Sequence, residues 1–286
     1  MVNENLPSLE QMIAQTRSIS TPPLIYNRLN DAINHPRTSI KDIAQIISED
    51  PGLTARILKL ANSPLYGRSN VDSISRAVTL IGTREIRDLV LAASMRQTFE
   101  QISEKLLNLT LYWQHSVTCG VVARNIAFFL RETAIERFFV AGILHDIGQL
   151  VMCSLIPVTV TKMITLTKQE PKALCTVEKS FLGFDHAQLG AALLQTWKIP
   201  VNIVELVACH HTPSTSVQYP RDVAIVHLAD LICQSLAYGG NSEIYVSPMD
   251  KVACDNLNLP LSAIEMIVKQ SDLQLKDICA IMLEQQ

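Results

Sequence analysis

The chain of 286 residues contains only seven histidines, and six of them fall between positions 115 and 227. In order they are His115, His145 next to Asp146, His186, the pair His210-His211 and His227, with Asp230 three residues further on. Neutral imidazoles and carboxylates together suit a first-row divalent cation and need no soft thiolate. The sharpest case is "AGILHDIGQLVM" (141–152), where a charged pair interrupts an apolar run. A carboxylate buried there is costly unless a cation or several donors face it. A carboxylate on the residue after a histidine can bridge two ions, which makes Asp146 tolerable in a core.

A single histidine on an apolar face is more often a hydrogen-bonded core residue than a ligand. Here the helical periodicity turns several of them inward together. His115 shares a face with Cys119, Val122 and Ile126, and His145 shares one with Phe138, Ala141 and Gly142. The small Ala141 and Gly142 leave room for a neighbouring helix backbone. His186 follows Asp185, an expected N-cap, and His210-His211 close a helix just before Thr212 and Pro213. Asp230 lies on an inward stripe with Val223 and Val226. His227 either supports Asp230 from behind or is a satisfied core histidine, and both readings stay open. His35, in "NHPR", reads as an exposed loop residue, while Trp113 and Trp197 read as core anchors.

The elements that must position these residues are all helical; no sustained alternating pattern marks a strand. Ser39 and Asp50 are expected N-caps, the second followed by Pro51 at the first helical position. Thr83 is expected to cap "IGTREIRDLVLAASM", with Glu85 in its first turn. "ERFFVAGILHDIGQLVM" reads as one helix, and "LPLSAIEMIV" and "LQLKDICAIML" read as two closing helices. The expected organisation is a helical part over 1–105, a helical bundle carrying the His/Asp cluster over 106–240, and closing helices over 241–286.

Nearly half of the residues are apolar, 18% are charged and the net charge is −3. That balance, with no Lys/Arg block, gives no support for a nucleic-acid or anionic-membrane partner. "MVNENLPSLEQM" has no secretory pattern, and runs such as "LVLAASM" are too short to span a bilayer. The seven cysteines are scattered, with no Cys-x-x-Cys pair, and read as reduced thiols of a cytoplasmic protein.

The order His115, His145-Asp146, His186, His210-His211, Asp230 resembles the HD superfamily of metal-dependent phosphohydrolases, whose eponymous pair stands in "HDIG". His186 and the double histidine are similar to its HD-GYP branch. "DIAQIISEDPGLTARILKLANSPLYG", "SISRAVTLIGTREIRDLVLA", "YWQHS", "FDHAQLGAALLQTWKIP" and "CHHTP" resemble the HD-related output domain, HDOD, over about residues 7 to 240. The resemblance implies an all-α fold: an HD-type helical bundle preceded by a smaller helical subdomain. It implies that His115, His145, Asp146 and Asp230 hold one ion, and that His186, His210 and His211 hold a second with Asp146 shared. It further implies a signal-transduction output module that acts on a protein partner, with a nucleotide or phosphoester as a candidate ligand. Iron or manganese is the favoured ion, and zinc also fits. The alternative it carries is an active phosphohydrolase, in which Asp146 is the bridging carboxylate of a metal-activated water.

Two departures bear on that choice. Gln149 stands where hydrolytic relatives commonly carry a lysine, so a neutral donor replaces a charge that could meet phosphate oxygens. Ser214 to Gln218 contain no glycine, although Tyr219-Pro220 follows where HD-GYP enzymes carry Tyr-Pro.

Overall fold

The computed structural model describes residues 6–19, 22–170, 172–239 and 245–283. Among them every regular element is a helix. The first group is α1 (Leu9–Ile19), α2 (Leu24–Asn34), α3 (Ile40–Ser48), α4 (Pro51–Ala61), α5 (Ile74–Ile81) and α6 (Thr83–Thr98). The central group is α7 (Leu109–Phe129), α8 (Glu136–Leu144), α9 (Ile147–Leu155), α10 (Pro157–Gln169) and α11 (Leu174–Leu182). It continues with α12 (His186–Thr196), α13 (Val201–Cys209) and α14 (Pro220–Ser235), before the closing α15 (Lys251–Leu257) and α16 (Leu261–Leu283).

Local chemistry sets most of the helix starts. Ser39 and Asp42 form a reciprocal capping box at α3, the Asp50 carboxylate accepts from Leu53 N at α4, and Asp185 pairs with Gln188 at α12. Thr83 does not cap α6. Gly82 takes that position, with the Glu85 side chain folded against it, and Thr83 is the first helical residue. The two expected tail helices are one, α16, because the polar stretch between them still packs: Asn125 of α7 donates to Ser271 Oγ and to Gln274 Oε1, both at 2.9 Å. α15 precedes it and was not expected.

α7 runs through the middle of the bundle against α8, α14 and α16. α8 crosses it where two glycines meet, since a Cβ on Gly142 would fall 2.5 Å from Gly120 Cα. α9 approaches α12 as closely at Gly148, where a side chain would strike the His186 carbonyl. These two crossings bring the backbone of "HDIG" against the helices that carry His115 and His186.

The expected divide near residue 105 falls in the loop between α6 and α7, yet buried side chains run across it as α6 packs on α8 and α16 on α4. The expected divide at 240/241 lies outside the described residues, as does the beginning of "MVNENLPSLEQM". By length and composition alone Glu136–Leu155 could cross a membrane, but 89% of that stretch is buried in the bundle.

Candidate metal centre

The helix expected over 136–152 breaks at the charged pair. α8 stops at Leu144, α9 restarts at Ile147, and Asp146 takes φ −96°, ψ 6°. His145 Nδ1 donates to Gly142 O at 2.7 Å, taking a carbonyl that a continuing helix would use four residues on. The break points both side chains of the pair into the space between α7, α12, α13 and α14.

Around Asp146 three imidazoles converge. His186 Nε2 is 3.1 Å and His210 Nε2 3.8 Å from Oδ1, and His145 Nε2 is 3.3 Å from Oδ2. His211 Nε2 comes within 2.8 Å of His186 Nε2. On the other side His115 Nε2 lies 3.1 Å from Asp230 Oδ1, and His145 Nε2 lies 3.6 Å from the same oxygen. Among the described residues three sets of ligand atoms are therefore close enough to share an ion: Asp146, His186, His210 and His211; His115, His145 and Asp146; and Cys119, His145 and Asp230. All are buried except His211, which is partly exposed.

The tautomers are fixed from behind. His145 donates Nδ1–H to Gly142 O, His210 donates to Val207 O at 2.7 Å, and His186 donates to Glu178 Oε2 at 2.6 Å. His115 Nδ1 faces Tyr238 O at 3.4 Å. Each of these Nε2 atoms then presents a lone pair to the centre, as metal-ligating histidines do. Two of them, His145 Nε2 and His210 Nε2, are buried without a hydrogen-bond partner. With the His186 ring donating to Glu178, its Nε2 and that of His211 need a proton or a cation between them.

The charges point the same way. Burial would raise the Asp146 carboxyl, but the neighbouring His145 and His186 hold it well below the ordinary range. Burial opposes ionisation of Asp230 too, and His115 and His145 outweigh it. Burial pulls His145 and His186 down, yet Asp146 for the first and Glu178 for the second raise them well above an ordinary imidazole. His210 is pushed far down by burial and by His211, and His211 is pushed down to about 3 by burial and by His186. The cluster thus balances its carboxylates with shared protons, the role a bound cation takes over.

Every histidine and aspartate expected at the site lies in this cluster except His227. That residue stands one bond behind it, donating from Nδ1 to His210 O at 2.7 Å while Nε2 accepts from Asp250 N at 3.0 Å. Gln149 is buried in the first turn of α9. His35 is exposed and both tryptophans are buried, as expected. Glu178 was not expected; the glutamate sits mid-helix in "LCTVEKSFL", eight residues before His186, with no local motif to mark it. Nor was Glu205, whose carboxylate accepts from Ser216 Oγ and from the backbone N–H groups of Val217, Gln218 and Tyr219. It gathers the glycine-free loop and leaves Tyr219-Pro220 as the start of α14.

An all-helical bundle that gathers five imidazoles around two aspartates is the arrangement that the resemblance to HD proteins implies. The chain matches the HDOD domain over residues 19–213, and it belongs to that family. An HDOD protein of unknown function from Geobacter sulfurreducens is similar at 26% identity and a TM-score of 0.73, over 96% of this chain and 97% of that one. A candidate phosphohydrolase from Shewanella amazonensis SB2B shares the fold at 22% identity and a TM-score of 0.72, over 95% and 98%. An uncharacterised protein of Treponema pallidum (strain Nichols) is 28% identical over 211 residues, which is 72% of this chain but 40% of that relative. The chain thus spans well under half the length of the curated relative it matches.

Proposed function

We propose that this chain is a signal-transduction output module whose His/Asp centre binds one or two divalent transition-metal ions and whose output is the binding of a partner protein. The observation that carries the metal reading is the pair of buried, unpartnered Nε2 atoms on His145 and His210, each aimed inward by an Nδ1 bond to backbone. His115, His145, Asp146 and Asp230 would hold one ion, and His186, His210 and His211 the second, with Asp146 between them. A nitrogen-and-oxygen set favours iron or manganese and accommodates zinc. Nucleic acid and membrane have no place in this reading. Seven cysteines without a disulfide suit a cytoplasmic setting.

The second reading, hydrolysis of a nucleotide or other phosphoester, is favoured by the complete ligand series. Bound metal supplies an activated water and a Lewis acid for such a reaction. Asp146 would hold both ions, and His211, the partly exposed member, marks where the cluster meets the surface. Gln149 can offer a phosphate only a neutral hydrogen bond, which weighs toward the output module.

Metal analysis of protein purified without chelator, followed by assay of a phosphodiester and a nucleotide panel, separates the two. Stoichiometric metal without turnover is expected. Turnover that disappears in Asp146→Ala would establish the enzyme, and tight metal retention by Asp146→Ala would overturn the ligand assignment. Gln149→Lys is expected to leave metal binding intact.

A further inference from the structure

We propose that Cys119 is a metal ligand, its thiolate completing the half of the centre built by His145 and Asp230. The proposal rests on the reading of that centre as a metal site, and it adds a soft donor to a set read so far as nitrogen and oxygen.

Cys119 lies on α7 four residues after His115, so one helix face carries both. Its Sγ, a ring nitrogen of His145 and a carboxylate oxygen of Asp230 all lie within 4.8 Å of one another. Ligand atoms on one zinc or iron ion stand that far apart or closer, since each sits at about 2.0–2.3 Å from the metal. Cys119 is wholly buried. A second observation points into the same space: His145 Nε2, with no solvent exposure and no hydrogen-bond partner, is 3.6 Å from Asp230 Oδ1.

Without an ion the Cys119 thiol is held well above its ordinary range by its contact with the Cys233 side chain and by burial, so its ionisation depends on a cation. The Cys233 side chain, on α14 three residues after Asp230, is in hydrogen-bonding contact with Cys119. In the thiol form Cys119 is the donor of that contact; once its sulfur is bound to a metal, the Cys233 S–H would be left to donate to it. Coordination replaces the Cys119 S–H bond with an S–metal bond, and the proton leaves to solvent. Charge balance favours the exchange. Asp146 and Asp230 contribute two negative charges against four positive on a pair of divalent ions, and a thiolate halves that buried excess. The soft donor shifts preference toward zinc, ferrous iron and cobalt over manganese and magnesium.

Cobalt(II) loading of the full chain tests this with an optical readout. The expected result is an intense near-ultraviolet thiolate-to-cobalt charge-transfer band in the native protein. It should vanish in Cys119→Ser while cobalt remains bound through the imidazoles. Cobalt bound with ligand-field bands but no charge-transfer band would overturn the thiolate and leave the metal centre standing. A band that survives in Cys119→Ser assigns the sulfur elsewhere and overturns the proposal as well. Failure of the native chain to take up cobalt would remove the metal reading itself. Should Cys119→Ser not fold, zinc-edge X-ray absorption of the native protein decides: a sulfur neighbour at about 2.3 Å is expected, and a first shell of nitrogen and oxygen alone refutes it.

Discussion

Two parts of the molecule bury charge, and they do it in opposite ways. In the N-terminal group Arg87 and Asp88 are both nearly inaccessible. Arg87 Nε donates to Asp88 Oδ1 at 2.7 Å, Nη1 reaches Asn30 Oδ1 at 3.1 Å, and the guanidinium lies 5.9 Å from the Tyr26 ring centroid. Cation meets anion there, and nothing further is required. In the central group two aspartates meet imidazoles whose Nδ1 protons are already committed outward, so the carboxylates are balanced only by protons shared at Nε2 or by a bound cation. A closed pair is architecture; carboxylates set among imidazoles whose Nε2 atoms turn inward make a site that a cation can occupy in place of protons. Arg124 and Glu136, at 3.1 Å between α7 and α8, repeat the closed pattern within a few turns of the centre.

The largest consequence of the contrast is in metal removal. A ligand bound only by the native state, at a free concentration a thousandfold above its Kd, stabilises by about 4 kcal/mol. Thermal melts with and without chelator are expected to differ by that order in the native chain. Asp146→Ala should melt at the same temperature in both conditions. Asp88→Asn, on the other side of the comparison, should keep the full response. A chelator shift that persists in Asp146→Ala would break the contrast.

The Arg87–Asp88 pair has its own signature, in pH. Burial raises the Asp88 carboxyl to about 6, against the pull of Arg87. Native Asp88 therefore holds its proton more tightly than the unfolded chain does. Its contribution to stability is complete below pH about 4 and is lost as the pH rises through about 6; two pKa units bound it at roughly 3 kcal/mol. Asp88→Asn keeps an oxygen for Arg87 and lacks the titration. The stability difference between native chain and variant should fall across pH 4 to 6 in urea melts, and a rise over that window would reverse the assignment.

How much of this was legible in the sequence follows from how local each signal is. The caps at Ser39, Asp50 and Asp185 are set by contacts three residues away, and all three hold. The cluster was legible because its residues are rare, inward-facing and ordered as in HD proteins. The close crossing at Gly142 was visible in its side-chain size. Residues that act from a distance in sequence left no mark: Glu178 reaches His186 from the preceding helix, and Tyr238 offers a backbone carbonyl. The break between α8 and α9 escaped because His145 competes for a backbone carbonyl that helical periodicity assigns to the ladder. The polar "KQSD" within α16 reads as a gap until Asn125 is seen opposite it.

Glu178 sharpens the contrast at the next scale of effect. One carboxylate oxygen takes both the His186 ring Nδ1–H and, at 2.9 Å, the His186 backbone N–H. Glu178→Gln keeps an acceptor of nearly the same shape but removes the charge that makes Nε2 a better donor to metal. Affinity is expected to fall by roughly 10- to 100-fold, equivalent to about 1.4–2.8 kcal/mol. Competition against a chromophoric chelator measures it, and an unchanged melt of the metal-free protein shows that the bundle is intact. Unaltered affinity would mean that the glutamate serves the fold alone.

The smallest effect asks whether the two regions are independent. Ser39→Ala removes one side of the α3 capping box and is expected to cost about 1 kcal/mol of stability. The cap lies far along the chain from the centre, but α6 packs on α8 and buried side chains run without interruption between the groups. If the contrast between them is one of local chemistry alone, metal affinity in Ser39→Ala stays at the native value while the metal-free melt drops. A matching loss of affinity would instead mean that α6 and α8 transmit the state of the N-terminal helices to His145. The bundle would then carry a route by which a partner bound to one group is felt in the other.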